Sequence, residues 1–382
     1  MNPPLYINSF QAITSTGNSA EEFWQSLCKG KIGLSAIRTN KWPSSAKTFW
    51  QDQPFSPIAC QLQHSSENSS RKNALYFANL FSTLGTACLH SHRISGKVGL
   101  IMASTKGAIE DYLWNSTLAS ENSMDTLGVV LEKTIQKLPY KWSLTQIVSN
   151  SCASSHAAFA LAKKWLYSGA CKQVLVLAGD LVGPFIYSGF QALKALSSTK
   201  SLPFQEERKG LMLGEAITGI LFSLSESEFE LVGVETFNES FTLTGPSPEG
   251  RGLKRCIDQL LKHSIAPDFA IAHGTATILN DRTEDHVLFE TQQLCQKDFP
   301  ISGTKWSVGH TLGASGSVDL IAALLSLRYG ELFSLQGNKV SPEMKAKNYL
   351  MAENLTGIFK TALVTSLGFG GTNGALLVRN TL

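Results

Sequence analysis

Short, almost wholly apolar runs separated by helical stretches limit the folds open to this chain more than any other feature. Val98-Gly99-Leu100-Ile101-Met102-Ala103, Gln173 to Asp180, Gly214 to Phe222, Leu231 to Glu235, Phe269 to Ala272, Thr361 to Thr365 and Gly374 to Val378 are such runs. A strand that is apolar on both faces belongs in a sheet covered on both sides, whereas a half-exposed strand alternates. Helices are expected between them: after Ser19, which precedes Glu21 and Glu22 as a cap, then over Ala74 to Leu89, 153 to 168 up to Gly169, and Phe185 to Leu196. Further helices are expected over Leu253 to His263, Glu284 to Gln296 and Gly313 to Leu327. Strands alternating with helices predict an α/β fold with a parallel, doubly covered sheet, in which Gly214–Phe222 and Leu231–Glu235 are neighbours. Asn40 to Asn68, polar and dotted with Pro and Ser, reads as a surface excursion. The second half follows the grammar of the first, but residue identity between them is too weak to establish a repeat.

A chain of 382 residues buries a large core, as two or three domains or one duplicated fold. With 43% hydrophobic and 16% charged residues it is not a disordered polymer. A net charge of +3 gives no reason to expect a nucleic-acid partner, and leaves local basic spots as the means of attracting an acidic one. The seven cysteines form no CxxC pair, and the Met-Asn-Pro-Pro-Leu start has no basic and apolar signal pattern. Both point to free thiols in a reducing cytoplasm. No apolar run reaches the roughly 18 residues that cross a bilayer, so no membrane span is expected.

The chemistry gathers around Ser149-Asn-Ser-Cys152-Ala-Ser-Ser155, between a strand expected over Leu144–Val148 and the helix that follows. A cysteine at a helix start meets unpaired backbone N–H groups and the positive end of the helix dipole, which stabilise a thiolate and an oxyanion. The competing reading is a small packed residue, because free cysteine is commonly buried. Three glycine-rich stretches sit at element ends, where active-site loops belong in α/β folds: His273 to Asp281, Gly303 to Gly316 with Lys305 and His310, and Ser366 to Gly374 with Phe369. His156 lies one turn beyond Cys152 on the same helix face and reads as a buried, hydrogen-bonded group rather than a catalytic one. Ser366–Gly374 does not fit GxGxxG, no GxxxxGK[ST] is present, and the histidines lack metal-ligand spacing.

Together the Cys152 segment and the three loops resemble the β-ketoacyl-acyl-carrier-protein synthases, condensing enzymes of the thiolase superfamily. Thr244-Gly245-Pro246-Ser247-Pro248-Glu249-Gly250, Pro203-Phe204 before Arg208-Lys209-Gly210, and Asn280-Asp281 with Glu284 extend the likeness along most of the chain. The resemblance implies a duplicated five-layered α-β-α-β-α architecture, with residues 1–225 carrying the cysteine and 226–382 the histidines. It implies Cys152 as nucleophile, and His273 and His310 as neutral Nε2 donors to the extender's carbonyl and enolate. Lys305 would order the site, with Asp319, Thr275 and Thr277 in support. The amides of Cys152 and Phe369 would form the oxyanion hole, Phe369 also gating access between flanking glycines. No resident cofactor is implied, since both substrates ride on the phosphopantetheine of an acyl carrier protein. Arg71, Lys72 and Lys200 stand where relatives present positive charge to that partner, although Arg71 and Lys72 at a helix start also read as a solvated pair. A homodimer, or a heterodimer with a related synthase, is implied.

The chain departs from the family pattern at Asp319, where Glu is common, at Leu211, where an aromatic is usual, and at Gln205, where Asp is usual. The shorter Asp319 is expected to loosen Lys305, and Leu211 to alter gating. Those departures raise a second reading, a chain-length-factor-like partner subunit with little activity of its own, against which Cys152 argues. A thiolase needs a second active-site cysteine where His310 stands.

Overall fold

The computed structural model describes residues 3–37, 58–62, 73–114, 125–262 and 265–382. Arg71, Lys72 and most of the expected 40–68 excursion lie outside these residues. Ten strands share one sheet: β1 (Tyr6–Thr14), β2 (Val98–Ala103), β3 (Leu144–Val148), β4 (Gln173–Asp180), β5 (Ala216–Ser223), β6 (Phe229–Asn238), β7 (Phe269–Ile271), β8 (Ile301–Ser302), β9 (Thr361–Gly368) and β10 (Thr372–Asn380). Their spatial order is β8-β7-β9-β10-β6-β1-β5-β4-β2-β3. Outward from the middle, the first half therefore reads β1-β5-β4-β2-β3 and the second β6-β10-β9-β7-β8, the same path twice. Directions repeat as well. β1/β5 and β5/β4 are antiparallel while β4/β2 and β2/β3 are parallel. In the second half β6/β10 and β10/β9 are antiparallel while β9/β7 and β7/β8 are parallel. A duplication that residue identity conceals is explicit in topology.

Two sequence expectations are corrected here. The sheet is mixed rather than parallel, and β5 and β6 are not neighbours, because β1 lies between them, meeting β6 through Tyr6–Glu230 and Ile7–Phe229. The reason is general. A strand buried on both faces reads as an unbroken apolar run in either direction, so its sequence carries no record of its neighbour's orientation.

Helix α1 (Ala20–Cys28) starts at the expected cap, the Ser19 hydroxyl accepting the Glu22 N–H at 3.1 Å. Helices α2 (Ala74–His90) and α3 (Thr126–Lys137) pack on each other, and α2 covers β1, β4 and β5. Helix α4 (Ser154–Tyr167) touches β2 and β4 on one side and β6 and β10 on the other. After α5 (Pro184–Ala192), α6 (Arg251–Leu261) covers β6 and β10 with α7 (Ile278–Cys295) upon it. Helix α8 (Ser315–Tyr329) packs against α4, β1, β5, β9 and β10, and every residue from Ser315 to Leu327 is buried. The layers are thus α2/α3, β1–β5, α4/α8, β6–β10 and α6/α7. The small residues Gly316 and Ser317 let α8 approach α4 closely: a Cβ on Gly316 would lie 2.4 Å from His156 Nδ1, and Ser317 Oγ lies 3.1 Å from Ser155 Oγ. No helix among the described residues is long and apolar enough to cross a membrane.

Candidate active site

The edge strand β3 ends at Val148, and the backbone turns sharply through Ser151, whose φ of 49° is left-handed. That turn is held from within. Ser154 Oγ donates to the Ser151 carbonyl at 2.6 Å and accepts the Asn150 N–H at 2.8 Å. Cys152 is thereby set just before the first turn of α4 and is buried. His310 Nε2 lies 3.1 Å from its Sγ, across the boundary between the sheet halves. The Leu312 N–H donates to His310 Nδ1 at 3.3 Å, and Ser315 Oγ lies 2.8 Å from the same nitrogen. Because an amide can only donate, Nδ1 is the acceptor nitrogen and Nε2 carries the proton, which points at the sulfur. The His273 ring stands perpendicular to that of His310, with centroids 5.2 Å apart.

Glu284 builds the His273 loop. Its carboxylate accepts the N–H groups of His273 and Gly274, each at 2.7 Å, and Thr365 Oγ1 donates to it as well. His273 Nδ1 is buried without a hydrogen-bond partner among the described residues, an unsatisfied polar atom in the site. Lys305 Nζ reaches Asp319 at 2.9 Å, and Thr304 Oγ1 donates to the other carboxylate oxygen. The expectation that Asp319 would loosen Lys305 is therefore overturned: the pair closes despite the missing methylene, inside a site where both residues are buried.

Burial and the Lys305 charge keep both histidines neutral. The His310 imidazole is pushed down to about 3, and that of His273 falls well below its ordinary value, by burial first and then by Lys305 and His310. Burial pushes the Cys152 thiol up to about 12, and the Asp180 carboxylate adds to this. Opposing these are the Phe369 N–H, the charge of Lys305 and the Cys152 N–H, the two amides being turned onto the sulfur. Desolvation thus outweighs the two amides and the Lys305 charge, and the resting group is a thiol.

The structure brings Cys152, His273, Lys305, His310 and Phe369 into one site. Phe369 stacks on Phe190 of α5 with centroids 5.5 Å apart, over a cluster that contains Leu211, Leu213, Tyr187 and Leu312. Thr275 Oγ1 and Thr277 Oγ1 are 2.9 Å apart in the loop after His273. His156 is fully buried, its Nε2 3.5 Å from the Val364 carbonyl, and burial holds it down to about 4. Lys200 is exposed in the loop beyond α5. Sequence reasoning passed over Ser315 and Asp180. Asp180 nevertheless left a signal, an acid closing an otherwise apolar strand.

With this geometry in view, two family models match the chain: "Beta-ketoacyl synthase, N-terminal domain" over residues 144–226 and "Beta-ketoacyl synthase, C-terminal domain" over residues 229–336. The 3-oxoacyl-[acyl-carrier-protein] synthase 2 of Synechocystis is 25% identical over 413 residues, covering 97% of this chain and 97% of that protein. The 3-oxoacyl-[acyl-carrier-protein] synthase 1 of Buchnera aphidicola is 25% identical over 412 residues, covering 98% of this chain and 99% of its own. Among solved structures, the ketosynthase ApeO in complex with its chain length factor ApeC from Xenorhabdus doucetiae superimposes with a TM-score of 0.78 at 20% identity, covering 99% of this chain and 98% of that one. A type II acyl-carrier protein in complex with its ketosynthase (AntDE:AntF) gives a TM-score of 0.82 at 21% identity with both chains fully covered.

Proposed function

This chain belongs to the beta-ketoacyl synthase family, and on that premise we propose that it is a 3-oxoacyl-acyl-carrier-protein synthase, an acyltransferase catalysing decarboxylative Claisen condensation. The observation that carries the reading is the convergence on one sulfur of the His310 Nε2–H, at 3.1 Å, and the amides of Cys152 and Phe369. In the first half-reaction Cys152 Sγ bonds to the acyl carbon of a carrier-bound thioester while the carbon–sulfur bond to phosphopantetheine breaks. The thiol proton leaves with the departing pantetheine thiol, so no separate base is needed. The two amides hold the oxyanion formed on the way.

In the second half-reaction a malonyl group on the carrier protein places its thioester carbonyl against His273 and His310. Loss of CO2 leaves the bonding pair as an enolate, which neutral imidazole N–H groups stabilise. The enolate carbon attacks the acyl-Cys152 carbonyl, the carbon–sulfur bond breaks, and the cysteine thiolate takes a proton from solvent. Lys305, held by Asp319, adds its charge to the burial that keeps both imidazoles neutral. The reaction uses no resident cofactor, since both groups arrive on phosphopantetheine.

The acyl carrier protein is the partner, met in part by Lys200 with Arg71 and Lys72, and the subunit works as a homodimer or with a related synthase. Seven unpaired cysteines support a cytoplasmic setting. Two of the departures that suggested a non-condensing partner subunit leave the site intact, since Asp319 holds Lys305 and Leu211 packs in the cluster under Phe369, while the third, Gln205, is buried with its Nε2 unpartnered among the described residues. Incubation with acyl-carrier proteins of several chain lengths should give an acyl adduct on Cys152 by intact-protein mass spectrometry with peptide mapping. No adduct at any length overturns the assignment.

A further inference from the structure

Asp180 ends β4 in the first sheet half and is fully buried. Its Oδ2 accepts the Gly313 N–H at 2.8 Å, and Gly313 follows Leu312, whose own N–H fixes the His310 tautomer. The Gly313 carbonyl in turn accepts from Ser155 Oγ at 2.5 Å, in the first turn of α4, three residues beyond Cys152. On its other side the carboxylate accepts from Ser104 Oγ at 2.8 Å and from the Thr105 N–H at 3.2 and 3.0 Å, one distance to each oxygen. Lys106 Nζ stands 3.7 Å from Oδ1 and donates to the Leu181 carbonyl at 2.6 Å. The contact leaves no slack: a Cβ on Gly313 would lie 2.9 Å from Asp180 Oδ2 and 3.2 Å from the Thr105 nitrogen.

We propose that Asp180 is a positioning residue for the condensation, tying the His310 loop of the second half to the Cys152 helix of the first and setting the charge around the thiol. The chain of contacts runs from β4 through Gly313 to the His310 ring on one side and to Ser155, in the helix that Cys152 precedes, on the other, and no other part of the mechanism uses this acid. The titratable and charged groups around Cys152 are His310, Lys305 and Asp180, with His273 against His310 and Lys106 against Asp180. Of these charges, Asp180 disfavours a thiolate and Lys305 favours one. Removing the acid's charge therefore makes Cys152 more acidic, and removing Lys106, which partly cancels that charge, makes it less so.

The inference rests on Cys152 as the nucleophile, and its test reads that thiol directly, whether or not the protein condenses anything. Asp180→Asn keeps the shape, but puts an amide donor in place of an acceptor, facing either the Gly313 N–H or the Ser104 hydroxyl and Thr105 N–H. The rate of Cys152 carbamidomethylation by iodoacetamide, followed by peptide mass spectrometry at pH 8.5, should rise on the order of threefold per unit fall in thiol pKa, because a tenfold larger thiolate population is partly offset by weaker nucleophilicity. Lys106→Met should slow the same reaction. In the condensation assay Asp180→Asn should lower kcat on the order of tenfold or more, as expected for a displaced reacting pair, with KM for the carrier protein within about twofold. Shifts of opposite sign with a kcat loss support the proposal. Equal or unmoved alkylation rates, or a loss confined to KM, overturn it. If Asp180→Asn does not fold, the Lys106→Met rate decides: slower alkylation upholds the charge coupling, and an unchanged or faster rate refutes it. If alkylation shifts as expected while neither the variant nor the natural protein condenses, the ketosynthase reading fails and the electrostatic coupling stands.

Discussion

Asp319→Ala leaves the Lys305 ammonium, 2% exposed, without the carboxylate oxygen that lies 2.9 Å from its Nζ. A buried ion pair broken from one side costs about 3–5 kcal/mol, because the surviving charge stays desolvated and unmatched. Thr304 loses its acceptor in the same step, which adds about 1 kcal/mol. Lys305→Met is expected to cost a similar amount by stranding the carboxylate. Replacing both, as Lys305→Met with Asp319→Ala, removes the two desolvation penalties together and should cost less than either single change. Urea unfolding followed by far-UV circular dichroism gives all four free energies, and the double-mutant cycle should return a coupling of about 3 kcal/mol or more. Burial, the largest cause of the low imidazole values, persists in the double variant, so His273 and His310 stay neutral there, and a loss of condensation reports the missing Lys305 charge that favours the Cys152 thiolate. An Asp319→Ala loss below about 1 kcal/mol, with single changes that simply add, would refute the claim that this pair is a closed, desolvated unit.

Carbamidomethylation of Cys152 should quicken about tenfold per pH unit from pH 7 to 10 with no plateau, since burial raises the thiol from 9.0 to about 12 and the thiolate remains a minor species throughout; a plateau below pH 9 contradicts this. With the His310 imidazole pushed down to about 3, its Nε2 donor stays neutral at pH 5, so an acid limb of the condensation rate that titrates near 6.5 would count against its assigned state. Gly371→Ala should impair turnover far more than Gly370→Ala, because a Cβ at 371 would meet the Glu239 carbonyl oxygen at 1.7 Å, whereas position 370, at φ +80°, has open space and only backbone strain of about 1–2 kcal/mol. Asp319→Glu restores the family's commoner residue, yet should destabilise by about 1–3 kcal/mol, since the existing pair already closes in a packed site; equal stability by urea unfolding would refute that.

Much of the site was legible because its signals are local. The Ser19 cap, the strand–turn–helix around Cys152, and the loops bearing His273, His310 and Phe369 all depend on residues within a few positions of one another. Asp180, Ser315 and the Leu312 amide were not legible as functional parts, because each gains its role only where the two halves touch, over separations such as the 133 positions between Asp180 and Gly313. Asp319 misled for the same reason: a side chain's reach was judged without knowing how closely its helix approaches Lys305.

From its residues alone, the chain shows which segments are buried strands and helices, and which polar side chains stand at their ends, since periodicity and capping are properties of neighbours along the chain. Only the tertiary structure decides strand order and direction, the placing of β1 between β5 and β6, and the nearness of His310 to Cys152. It also decides the protonation state of the nucleophile. Packing removes water from the sulfur, and in that low-dielectric setting desolvation outweighs the two amides and the Lys305 charge together.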